Sequence, residues 1–404
     1  VGAIQEGIYY REGERPGKFF VLACLSAADQ ADAASVHACM AGLWAVYQGL
    51  KAGRIPDLPG VAVPTGELTV TLGYGSNAFR IDGSVSRPDE LGPQHQFLAA
   101  RTSGGGPLLP GAGLQYEAHV VKNRATEAVI VQFIANTELA VQRALLETWK
   151  YLHDQQRETG DAPLYLASSY SGFQRDDGRS WIDFHDGVSN LRSGEEREQA
   201  IAIKTGAYAG GSYLCFIRLN VAIARWRQLS RPNQELLVGR DKVTGCPIVA
   251  RTPEGVPVPK QGCPFAGTGG IGEPGNNDHR EPPYVTDTAL RQSHVQRANL
   301  QHNQAVADPQ SLRIYRQGYE FMESATGDPP FELGLNFVSF QDTPARVFRL
   351  LTRAGWLGNT NFGGAVAGGA DAVELLKVSA AGVYLVPPLD DADAFPGASI
   401  FAGG

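Results

Sequence analysis

Hydrophobic and polar positions follow a repeated rhythm along this chain. Four times a short, continuous apolar run is followed by a polar break and then by apolar residues spaced i, i+3, i+4. The runs predict strands and the spaced segments predict amphipathic helices. They fall at residues 19–25 with about 34–50, 128–133 with 138–153, 212–217 with about 220–229, and 335–340 with 343–354. In the second helix Leu139, Val141, Leu145, Leu146, Trp149 and Leu152 form the expected apolar face. Asn136 or Thr137 is its candidate N-cap, and Thr343 followed by Pro344 reads as an N-cap with Pro at the first helical position. Further strands are expected at 67–72, 116–122, 164–168 and 378–386.

Two of these units also share residues. Val131-x-Phe133, Asn136-Thr137 and Val141-x-Arg143-x-Leu145 parallel Val338-x-Phe340, Asp342-Thr343 and Val347-x-Arg349-x-Leu351. The chain therefore reads as two similar halves, residues 1–190 and 191–404. Each half has the two helices of a β-α-β-β-α-β, ferredoxin-like unit. The expected class is α+β with antiparallel sheets, of the dimeric α+β barrel type. Residues 251–291, rich in Pro, Gly, Asn and Asp and without periodicity, read as an irregular insertion.

Composition narrows the classes. Apolar residues are 43% and charged residues 19% of 404, which excludes a disordered chain. The 48 Gly and 25 Pro follow no Gly-X-Y period, so they mean loops and not collagen. Net charge is −7 and no basic block occurs, so no nucleic-acid partner is expected. No apolar run approaches the roughly 18 residues of a membrane span, so no membrane partner is expected. Residues 1–15 carry charges and glycines where a signal peptide would have its apolar core. The five Cys are odd in number, lack C-x-x-C spacing, and put Cys24, Cys39 and Cys215 inside apolar elements. All five are expected as reduced thiols in a cytoplasmic protein.

Phosphate-loop, zinc-protease and serine-hydrolase motifs are absent. Gly267-Thr-Gly269-Gly-Ile-Gly272 spells G-x-G-x-x-G but lacks the flanking strand and helix that would make it a phosphate cradle. The eight His form no zinc-type cluster with Cys. Three islands remain: Trp181-Ile-Asp-Phe-His-Asp186-Gly187-Val-Ser-Asn190, Arg291-Gln-Ser-His294-Val-Gln-Arg297-Ala-Asn299, and Leu312-Arg313-Ile-Tyr-Arg316-Gln-Gly318-Tyr-Glu-Phe321. Each alone reads as a turn, a solvated His or a surface Arg.

Their order resembles the signature of the dye-decolorizing peroxidases, a haem family with two ferredoxin-like halves. That family carries G-x-x-D-G, then H-[IV]-R-x-x-N-P-R, then R-x-G-x-x-[YF]. Flanking stretches are similar too: Ile4-Gln5-Glu6-Gly7-Ile8, Gly211-Ser-Tyr-Leu-Cys-Phe-Ile-Arg218-Leu219, Leu237-Val-Gly-Arg240 before Thr244-Gly-Cys-Pro, Gly334-Leu-Asn-Phe-Val-Ser-Phe340 and Gly382-Val-Tyr-Leu-Val-Pro-Pro388. Departures mark a divergent member: Asp183 stands for the first Gly of G-x-x-D-G, Leu191 and Leu300 stand where Pro is frequent, and Gln301 stands for the Arg of N-P-R.

The resemblance implies haem b as cofactor, with His294 as proximal iron ligand and Arg297, Phe184, Leu335 and Phe337 around the group. It implies Asp186 as distal acid/base for hydrogen peroxide. Arg316, with Arg313 as its nearest rival, would stabilise charge on the leaving oxygen. His185 is expected to face away from the haem. The donor would be an aromatic small molecule, oxidised in one-electron steps with a surface Tyr or Trp as relay. A specialised biosynthetic haem enzyme, or a haem-binding protein without turnover, are the alternatives, and a homo-oligomer is left open.

Overall fold

The computed structural model describes residues 3–8, 17–95, 115–116, 127–191, 194–263, 282–299, 305–308, 310–351, 375–390 and 392–402. The elements in chain order are β1 (Phe19–Ala27), α1 (Ala33–Lys51), β2 (Thr69–Tyr74), β3 (Gln115–Tyr116), β4 (Glu127–Ala135), α2 (Glu138–Thr159), β5 (Leu164–Phe173) and α3 (Gly194–Ile201). They continue with β6 (Ser212–Val221), α4 (Ile223–Gln228), α5 (Arg231–Val238), β7 (Ile248–Arg251), β8 (Pro257–Pro259), α6 (His294–Ala298), β9 (Tyr315–Ser324), β10 (Phe331–Gln341), α7 (Ala345–Leu351) and β11 (Leu376–Val386).

The expected α+β class is what forms. Among the described residues one antiparallel sheet runs β2-β4-β1-β5-β9-β10-β6-β11, with β3 added at β11, and a β2–β11 pairing closes it into a barrel. Two junctions are narrow: β5 meets β9 at Phe173 and Glu320, and β2 meets β11 at Tyr74 and Leu385.

Alternation along the strands explains the apolar runs. Phe20, Leu22 and Cys24 join Leu214, Phe216, Tyr319, Val338 and Phe340 in the cluster that the closed sheet encloses. Their neighbours Val21, Ala23 and Leu25 pack outward with Val36, Met40 and Leu43 of α1. Strands buried on both faces read as continuous hydrophobic runs. The Gln5–Ile8 stretch plugs one end of the barrel. Gln5 bonds the Leu72 N–H and C=O at 2.8 and 3.0 Å and donates to the Pro387 carbonyl at 2.8 Å. Gly7 has φ +80, and a Cβ there would lie 2.6 Å from Thr71 Oγ1. Only glycine fits this close approach.

The structure corrects several expectations. On α2 the buried stripe is Ala140, Val141, Ala144, Glu147, Thr148 and Leu152, while Leu139, Leu146 and Trp149 are exposed. Close helix packing decides this. Thr148 meets the Tyr47 hydroxyl at 3.0 Å, and Gly42 of α1 leaves room for the Tyr151 hydroxyl. Small and hydrogen-bonded residues thus take the buried side. The helix expected at 220–229 is shorter, because β6 runs on to Val221.

Cys246 and Cys263 form a disulfide, so only Cys24, Cys39 and Cys215 are the buried thiols expected. The cytoplasmic expectation loses the support of five reduced cysteines. The start of the 251–291 stretch is ordered by the β7–β8 hairpin, and Arg251 pairs with Asp287 through both carboxylate oxygens at 2.8 and 3.0 Å. Residues 267–272, 300–301 and 352–354, and all but the first residue of the strand expected at 116–122, lie outside the described residues. Thr137 is the N-cap of α2, and Thr343 Oγ1 accepts from the Ala345 N–H at the start of α7. No described helix is long and apolar enough to cross a membrane.

Candidate active site

A cavity of about 290 Å³ opens on the outer face of strands β9, β10 and β6. Strand alternation builds its wall. Tyr315, Gln317 and Tyr319 of β9 point into the barrel, so Arg316 and Glu320 line the cavity, with Gly318 between them. In register beside them, Leu335 faces Glu320 and Phe337 faces Gly318. Ile217 and Leu219 of β6 continue the apolar wall, and Val347 and Leu350 of α7 close one side.

The loop after β5 brings in Asp186. Its course needs two left-handed residues, Asp183 at φ +66 and Gly187 at φ +68. Asp tolerates this region better than most non-glycine residues, which accounts physically for the departure from glycine at position 183. Asn190 clamps the loop to β9: its Oδ1 accepts from the Arg316 N–H at 3.0 Å and its Nδ2 donates to the Arg316 carbonyl at 2.7 Å. The Ser189 hydroxyl accepts from buried Arg240 at 2.7 Å. Arg316 Nη1 thereby stands 3.9 Å from Asp186 Oδ1, while that oxygen also accepts from the Gly187 N–H at 2.7 Å. Gly318 preserves this spacing, since a Cβ there would meet Asp186 Oδ2 at 3.1 Å and Leu335 Cδ1 at 3.2 Å.

His294 reaches the same cavity from the first turn of α6. Gly239 sets that position. It ends α5 at φ +88, and a Cβ would lie 2.5 Å from both Ser293 Oγ and Val295 Cγ2. Phe184 lines the cavity and packs edge-on against Trp226 at 6.1 Å. His185, expected to face away, also lines the cavity, though its Nε2 turns toward Arg179 and the Val243 carbonyl, at 2.9 and 3.2 Å. Burial and the Arg179 charge lower its pKa.

Asp186, Phe184, His294, Arg316, Leu335 and Phe337 therefore share one cavity, with Arg313 also on its wall. Arg297 is not among the described lining residues; its Nη1 donates to Gln292 at 3.0 Å. The neighbouring Gln296 is the buried one and donates to the Pro283 carbonyl at 2.7 Å. Sequence reasoning gave no role to Asn190 or Glu320. Glu320 is 6% exposed, and its pKa is pushed up to about 8, first by burial and then by the Asp186 charge.

Two imidazoles (His185 and His294), aliphatic and aromatic walls, and three guanidinium groups (Arg240, Arg313, Arg316) suit an apolar, anionic, iron-bearing group. Fold and cavity together define a closed-sheet α+β protein with a carboxylate–guanidinium pair and an imidazole on one cavity. Residues 177–391 match the family described as "Dyp-type peroxidase, C-terminal", and the chain belongs to that family. The deferrochelatase of Shigella flexneri serotype 5b (strain 8401) is 24% identical over 224 residues, 53% of this chain and 47% of that protein. The dye-decolorizing peroxidase of Thermobifida fusca (strain YX) is 27% identical over 139 residues, 34% of this chain and 26% of that protein. The match thus spans about half or less of these relatives' length. The DyP-type peroxidase from Cellulomonas bogoriensis superposes with a TM-score of 0.66 at 19% identity, covering 99% of this chain and 97% of that one. Ferric DtpA from Streptomyces lividans gives 0.67 at 20% identity, over 100% and 98%. These likenesses speak for the fold.

Proposed function

We propose that the chain is a haem b peroxidase that reduces hydrogen peroxide and oxidises an aromatic donor in one-electron steps. The observation that carries this reading is the Asp186–Arg316 pair, 3.9 Å apart on the wall of a cavity that His294 also lines. His294 would ligate the iron, with Phe184, Leu335 and Phe337 against the ring. When bound, haem supplies the redox chemistry. Asp186 accepts a proton from peroxide and returns one to the leaving oxygen. Arg316 offers a fixed positive charge where negative charge develops. Leu335 and Phe337 keep bulk water from that face. The identical strand order of β2-β4-β1-β5 and β9-β10-β6-β11 supports two ferredoxin-like halves, 1–190 and 191–404, joined in one barrel. Membership of a peroxidase family supports the reaction class.

An absorption spectrum of the purified protein, loaded with haem and then given one equivalent of peroxide, tests this reading. A Soret band that shifts on peroxide, and that His294→Ala changes or abolishes, is expected. No band, a band unaffected by His294→Ala, or a band inert to peroxide would overturn it.

A further inference from the structure

We propose that Glu320 is the proton-donating partner of Asp186, so that the cavity holds an acid–base pair of carboxyl groups and not a lone carboxylate. Position comes first. Glu320 lies on the same face of β9 as Arg316, four residues on, and lines the cavity that Asp186 lines. It sits at the narrow junction where β9 meets β5, opposite Phe173, and on its other side it faces Leu335 of β10. Neither neighbour offers it a charge.

Asp186 and Asp177 of the loop after β5 act to keep its proton on, and Arg175 acts to remove it, as does the Trp181 backbone N–H. Arg175 is itself committed to Asp177 and to the Ser180 carbonyl, and lies over the Trp181 ring. Arg316 is nearer to being the counter-charge of Asp186. Burial therefore wins, and the Asp186 charge in the same cavity adds to it. Asp186 is the exposed member of the two; the buried member, Glu320, keeps its proton at neutral pH.

This division suits a reaction in which one proton must leave and another must arrive. Asp186 accepts a proton from the near oxygen of peroxide. Glu320 gives a proton to the leaving oxygen by way of Asp186. The proton first taken then restores Glu320. The pair gains and loses one proton, so its total charge is unchanged. Glu320 acts through Asp186, and its assignment to peroxide chemistry rests on the function proposed above. The pairing itself does not.

The test separates the two. Infrared pH titration of the purified protein should show a protonated-carboxyl band at pH 7 with a midpoint near 8. Glu320→Gln should remove it and Glu320→Asp should retain a band. Asp186→Asn should lower the midpoint, because the like charge is gone. A band absent at pH 7, or a midpoint indifferent to Asp186→Asn, overturns the pairing without touching the haem assignment. In stopped flow, Glu320→Gln should slow peroxide reaction by about 10²-fold at pH 7 and abolish the fall in rate above pH 8, and Glu320→Asp should restore that limb. A Glu320→Gln rate and pH profile equal to wild type would overturn the proton-donor role.

Discussion

Asn190 holds both polar backbone groups of Arg316, accepting from its N–H at 3.0 Å and donating to its carbonyl at 2.7 Å. The side chain thus imitates a neighbouring strand at this position of β9. It fixes the Asp186 loop to the strand that carries the guanidinium. Asn190→Ala removes both bonds and should cost about 1–3 kcal/mol, seen as a lower denaturant midpoint. Peroxide reaction should slow more than haem binding weakens, because the loop loses its register against Arg316.

Asp186→Asn and Arg316→Leu should each slow peroxide reaction by about 10²-fold or more while haem loading is kept. Stopped-flow rates equal to wild type would remove both residues from the proposed chemistry. Gly318→Ala is the gentler version. Its methyl would press on Asp186 Oδ2 and Leu335 Cδ1 at 3.1 and 3.2 Å, so a displaced carboxylate should cost roughly tenfold in rate, less than the roughly 10²-fold of a full ångström misplacement.

Much of this arrangement was readable in the chain, and the exceptions have physical causes. The runs at Phe20–Leu25 and Val338–Phe340 announce strands because both faces are buried. Asp186, His294 and Arg316 are legible through ordered motifs, and the cavity unites them. Strand β9 was not legible as a strand. Its outward residues Arg316, Gly318 and Glu320 serve the cavity, and its inward Gln317 bonds the Gly7 and Ile8 carbonyls, so neither face alternates cleanly. Had the strand been recognised, the spacing of residues 316, 318 and 320 would have pointed to Glu320. The face of α2 misled for the opposite reason: Trp149 and Leu146 are more apolar than Ala144 and Thr148, but only the smaller residues fit against α1.

Gly239→Ala should combine a left-handed backbone with two contacts at 2.5 Å, to Ser293 and Val295. The expected loss is roughly 2–4 kcal/mol in chemical denaturation. Because α6 must move, haem affinity should fall as well; an unchanged affinity would separate His294 from the Gly239 contact.

Reducing the Cys246–Cys263 bond, or replacing both cysteines by Ser, should cost about 2–4 kcal/mol for a closed loop of this size. The remaining thiols should resist labelling in the native protein. Cys24, Cys39 and Cys215 are all buried, and burial raises the Cys39 thiol to about 12 and the Cys215 thiol further. Rapid modification of any of them would contradict the packing.

Stability should depend on pH through Glu320. Its folded pKa, about 8, stands above the ordinary 4.5, so the native state holds a proton that the unfolded state releases. The contribution is complete below pH 4.5 and is lost as pH rises through 8. Wild type should therefore lose stability relative to Glu320→Gln between about pH 5 and 8, measured by denaturant titration at each pH.

The plug at the barrel end has a meaning in time as well as in space. Gln5 is made long before its carbonyl partner on Pro387, 382 residues later, and Tyr74 waits for Leu385. The edge of β2 therefore stays open until β11 has been made. Closure costs the entropy of a very long loop, which places it among the late events of folding. Until β11 is made, the nascent chain carries an unpaired strand edge that a chaperone, or another chain, can reach.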